Sequence, residues 1–84
     1  MKEIKIRFVQ RGKENVDYLI QKKTIFGWKN ITYESCAGVG AGYCFDVPYQ
    51  DSSKENLLQD VLEKHYKMDK RFVRVKEYPK IKIY

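Results

Sequence analysis

Hydrophobic and polar positions alternate along most of this chain, and in one stretch the alternation gives way to a helical period. In residues 2–10, Ile4, Ile6 and Phe8 fall on one side and Lys5 and Arg7 on the other, which is the pattern of a half-buried strand. Arg11-Gly12-Lys13-Glu14-Asn15 predicts a hairpin loop in which Gly12 supplies positive φ. A second strand is expected over residues 16–25 with Val16, Tyr18 and Ile20 inward, then a turn in Phe26-Gly27-Trp28-Lys29-Asn30 pivoting on Gly27. Ile31 and Tyr33 lead a third strand toward Ser35. Residues 43–47 alternate again as a short strand, stopped by Pro48.

The period changes after Asp51. Ser52 and Glu55 have capping-box spacing, and Leu57, Leu58, Val61, Leu62, His65 and Tyr66 recur on one helical face, so a helix is expected to run to Lys67 or Met68. Gln59, Asp60, Glu63, Lys64 and Lys67 lie off that stripe. Residues 72–76 return to strand alternation, Pro79 breaks or kinks it, and residues 80–84 resume it. The order β-β-β-(β)-α-β predicts an α+β fold: an antiparallel sheet of four to five strands with one helix packed on one face. The other face would carry Lys5, Arg7, Arg74 and Lys76, extended by Lys80 and Lys82.

The 84 residues make one domain, 1–84, with a thin core. No apolar run approaches the roughly 20 residues of a membrane span, so no membrane partner is expected. The N-terminal residues lack the apolar block of a signal peptide, which makes the expected location the cytoplasm. That compartment favours reduced thiols at Cys36 and Cys44, and only a hairpin between them would let them bridge.

The net charge of +6 is unevenly spread. Residues 1–13 carry five basic side chains against one acidic, residues 68–84 six against two, and residues 34–63 one against six. Basic ends and an acidic middle point to an anionic partner for one face. The plainer explanation is a solvated lysine face that discourages edge-to-edge aggregation.

The glycine run Gly38-Val39-Gly40-Ala41-Gly42 reads either as a strand with one bare face or as a loop with exposed backbone N–H groups. In both readings another group can approach the backbone closely: Trp28, a partner strand of a homodimer, or an anion held in a nest of N–H groups. The run lacks the Gly-Lys-Ser/Thr ending of a P-loop. With neighbouring Tyr43 it makes Gly38, Gly40 and Gly42 candidate binding residues. Phe26 and Trp28 at a predicted turn are candidate apolar anchors, set against the alternative that Trp28 folds back as a core plug.

Catalytic chemistry finds no footing. His65 sits on the apolar stripe, where a structural role is expected. A Cys–His nucleophile pair lacks any local motif, and Cys36, Cys44 and His65 do not have zinc-site spacing. No catalytic residue, metal or cofactor is expected.

The stretch Tyr18-Leu-Ile-Gln-Lys-Lys-Thr-Ile-Phe-Gly-Trp-Lys-Asn-Ile31, the helix after it, and Glu77-Tyr-Pro-Lys-Ile-Lys-Ile83 together resemble small, mostly uncharacterised phage and prophage accessory proteins that pair a tryptophan hairpin with one helix and a closing strand. The glycine run departs from that pattern, and no functional residues carry over. The resemblance implies a compact, noncatalytic protein that binds and blocks a host protein or protein–nucleic-acid complex in the host cytoplasm, for example a CRISPR or nucleotide-signalling component. The binding residues expected on this reading are Lys5, Arg7, Phe26, Trp28, Gly38, Gly40, Gly42, Tyr43, Arg74 and Lys76. A lesser variant has Asp46, Asp51, Asp60 and Glu63 mimic nucleic acid. The alternatives are direct nucleic-acid binding through basic residues interleaved with aromatics, or a sponge for an anionic nucleotide.

Overall fold

The structure, a computed structural model, describes residues 2–37 and 42–83. The alternating N-terminal segment forms β1 (Lys2–Arg11), which pairs antiparallel with β2 (Asp17–Thr24) and sets Phe8 opposite Ile20. Gly12 closes their loop at φ 86°, and a Cβ there would lie 2.5 Å from the Asn15 carbonyl oxygen, so this turn requires glycine. After a tight turn at Ile25-Phe26, β3 (Gly27–Asn30) returns along β2 with Trp28 opposite Lys23. Thr24 fixes this turn twice: its Oγ1 accepts from the Phe26 N–H at 3.1 Å and donates to the Gly27 carbonyl at 2.7 Å.

The chain then leaves the sheet. β4 (Thr32–Ala37) and β5 (Tyr43–Pro48) pair only with each other, forming a separate hairpin. Its base is pinned by Ile31, whose N–H donates to Ile20 and whose carbonyl accepts from Tyr49 N–H. The chain returns as β6 (Gln50–Asp51), which joins β2 at Tyr18 and Leu19. β3 and β6 therefore lie along one edge of β2, and β4 and β5 form an arm inserted between them in the chain.

The helix begins one residue later than the spacing predicts. Asp51 Oδ1 accepts from Ser53 N–H at 3.0 Å, and Ser53, not Ser52, caps α1 (Lys54–Asp60) by accepting from Asn56 N–H. Asp51 is held by its pairing with Tyr18, which fixes where the helix can start. Residues 61–65 continue α1 as a wider turn, with Tyr66 N–H donating to the Val61 carbonyl, and Lys67 ends it at a φ of 52°. A short turn over Lys70–Phe72 then leads into β7 (Val73–Ile83).

β7 pairs with β1 in parallel, so the sheet is mixed and ordered β3-β2-β1-β7, with β6 on the β3 side of β2 as its fifth strand. This corrects the expectation of an antiparallel sheet. The helix carries the chain across one sheet face from the β6 edge to the β1 edge, and a crossover of that kind brings the next strand back in the same direction. The basic first and last segments thereby become neighbours.

The core lies between the helix and this face. Ile4, Ile6, Phe8, Ile20, Ile31, Tyr49, Leu57, Val61, Leu62 and Val73 are buried together, as the two periodicities require. Leu57, Val61 and Leu62 are the helical stripe. Val9 and Leu19, ladder partners, are also buried but lie outside that cluster.

A candidate anion-binding face

Alternation along β1 sends Lys5 and Arg7 to the side away from the helix. The parallel register sets Lys5 opposite Lys76 and Arg7 opposite Tyr78, and Arg74 falls on the same side, opposite Glu3. Four of the expected binding residues, Lys5, Arg7, Arg74 and Lys76, thus share one face. Lys80 and Lys82 do not extend it. The register slips between Arg7 and Val9, spanning Pro79, so Val9 faces Ile81 and the two lysines turn to the opposite side, where Lys80 Nζ donates to Gln10 Oε1 at 2.9 Å.

Trp28 lies on this cationic face, half-buried. It lies within β3, outside the buried core and beyond the turn itself. Its ring meets the Tyr78 ring edge-on at 5.1 Å, and the Arg7 guanidinium sits 4.6 Å from its centre. Tyr78 is flanked in turn by Lys23 Nζ at 5.1 Å and Lys76 Nζ at 5.3 Å. Arg7 is aimed by a polar relay: its Nε donates to Gln21 Oε1 at 2.8 Å, and Gln21 Nε2 donates to Asn30 Oδ1 at 2.9 Å. The terminal guanidinium nitrogens of Arg7 have no hydrogen-bond partner among the described residues.

Among the described residues no ion pair joins a carboxylate to Lys5, Arg7, Lys23, Arg74 or Lys76, although Glu3 shares this side opposite Arg74. Among the described residues, the ion pairs join Arg11 to Asp17, Lys64 to Asp60 and Arg71 to Asp69, all elsewhere. Lys5 and Lys76, like charges directly opposite in the ladder, repel each other. Cations resting on ring faces without a counter-ion keep their N–H donors available to an anion.

Phe26 lies off this face, almost fully exposed at the β2–β3 turn. Tyr43 is on the arm, exposed, and Gly42 precedes it at φ 70° with open space around its α-carbon. Gly38 and Gly40, the choice between strand and loop for that run, and the pairing of copies through it lie outside the described residues. The alternation of β2 and β7 could have added Lys23, Gln21 and Tyr78 to the expected set, since each is offset from the inward positions. Asn30 needed the β2–β3 register.

The thiols were expected to be reduced, but Cys36 and Cys44 form a disulfide. They are directly opposite in the β4–β5 ladder, the hairpin geometry that bridging needs. The bond leaves no thiolate for a Cys–His pair. Glu34, Cys36 and Cys44 are the grouping of potential metal ligands among the described residues; all three are exposed, His65 is not among them, and the bond removes both thiolate donors. His65 instead contacts the rings of Tyr49 and Tyr66. Partial burial, with the Lys22 charge adding to it, holds its pKa below the usual histidine value, while burial raises that of Tyr66.

Among the described residues, no helix is long and apolar enough to cross a membrane. Compared with known protein families, with curated proteins and with solved structures, the chain matches none.

Proposed function

We propose that this chain is a noncatalytic binding protein that grips the phosphate backbone of a nucleic acid with its helix-free sheet face. One observation carries this reading: Arg7, Lys23 and Lys76 rest on Trp28 and Tyr78 with no carboxylate paired to them among the described residues. The rings hold cations on their own faces, so bases have little ring surface left to stack upon. Affinity should then follow phosphate charge and depend weakly on base identity. Trp28 is the chain's single tryptophan, so its fluorescence reports on this face. In a salt titration with single-stranded oligonucleotides, affinity should fall along a log–log slope of about −2 to −3, the release expected from three to four phosphate contacts. Absence of binding at low salt, or binding indifferent to salt, overturns it.

A second reading, the phage-type accessory protein that blocks a host defence component, is favoured by the arm. Tyr33, Tyr43, Phe45 and Val47 share one side of the β4–β5 hairpin by register, and the three rings are exposed. An exposed aromatic face of this kind suits a protein partner. A host-defence assay that responds to Tyr43→Ser/Phe45→Ser while oligonucleotide binding is unchanged would favour it over the first.

A further inference from the structure

Two surfaces away from the cationic face are complementary to each other. The β2–β3 turn presents Ile25 at 93% and Phe26 at 82% exposure, adjacent and unsheltered. The Thr24 hydrogen bonds hold this apolar tip in one shape. A cation stands beside it: Lys29 Nζ lies 5.6 Å from the Phe26 ring centre.

On the helix side is a groove of about 560 Å³, lined in near-equal parts by apolar surface from Leu58, Leu62 and Met68 and by polar groups that include Asn56, Gln59 and Lys70. Glu55 and Glu63 rim it, neither in an ion pair among the described residues, though Glu63 Oε1 accepts from Gln59 Nε2 at 3.2 Å; Asp69 is already held by Arg71. Its size is within the range that encloses a small ligand, ample for two side chains. An apolar knob beside Lys29 and a groove with an apolar floor and more carboxylates than cations on its rim are opposite in charge sign.

Going beyond the function proposed above, we infer that the Ile25–Phe26 tip of one copy seats in the helix-side groove of a second copy. The contact is head-to-tail: each copy offers a tip to one neighbour and a groove to another, so association extends past a dimer unless a ring closes. Its small area makes it weak, with dissociation constants of roughly 10 μM to 1 mM.

Sedimentation velocity on the full chain tests this. The average mass should rise with concentration beyond that of a dimer, and added salt should reduce the rise. Ile25→Ser/Phe26→Ser, at a position outside the core, should stay monomeric at every concentration with an unchanged circular dichroism spectrum. Glu55→Lys/Glu63→Lys should do the same. Mixed together, the two variants retain one intact tip and one intact groove, and should pair one-to-one and stop there. A wild-type chain that remains monomeric throughout overturns the inference. So does a tip variant that associates like wild type, or a mixture that fails to pair.

Discussion

The sheet face and the hairpin arm both display aromatic rings, but they are held in place by different means. On the sheet, Trp28 and Tyr78 are half-buried, and each ring is engaged by cations that register brings to it from β1, β2 and β7. On the arm, Tyr33, Tyr43 and Phe45 are exposed, and the strands are tied by one covalent bond. That bond has work to do, because Glu34 sits directly opposite Asp46, a like-charge pair that opposes the hairpin. The sheet face is thus organised by the fold as a whole, while the arm is organised locally. Perturbations should separate the two.

The largest effect should come from Arg7→Ala combined with Lys76→Ala. Oligonucleotide affinity at low salt is expected to drop roughly a hundredfold, about tenfold per cation, with a salt slope shallower by about 1 to 2. Fluorescence anisotropy measures both, and the arm should not notice. Reducing the Cys36–Cys44 bond, or replacing both residues with serine, is the converse experiment. In the chain-entropy account a loop this short gives up about 2–3 kcal/mol. The loss should appear as faster amide exchange in residues 32–37 and 43–48, with oligonucleotide affinity unchanged. Equal loosening of β1 and β7 would show that the arm is not independent.

Gln21→Ala is a smaller and sharper probe. It removes the acceptor that aims Arg7 but no charge, so the cost should be about 0.5–1.5 kcal/mol in binding, less than Arg7→Ala alone. An effect as large as that of Arg7→Ala would mean that orientation, not charge, dominates the face.

The smallest effect is expected from pH. Since the folded pKa of His65 is depressed, the unfolded chain binds the proton more readily, and stability is lost as pH falls through the ordinary histidine value toward the folded one. The ring touches Tyr49 at the base of the arm, so amide exchange near Tyr49 should rise at acid pH before the sheet responds. His65→Gln should flatten that dependence.

Alternation and the helical stripe were sufficient to determine the core-facing residues of β1, β2, α1 and the first half of β7, because burying one side of each element is a local demand on spacing. They also put Lys5, Arg7, Arg74 and Lys76 on a common side. Four matters belonged to the tertiary structure alone. The direction of β7 depended on the helix crossing the sheet, so a parallel pair appeared where short connections read as antiparallel. Lys80 and Lys82 turned away because a bulge at Pro79 reversed the parity, which no period-two pattern can register. Trp28 met Arg7 and Tyr78 only once residues from three strands came together, and Cys36 met Cys44 only once β4 and β5 paired. Contacts between positions far apart in sequence follow from which strands become neighbours, and spacing along a single chain carries no record of that.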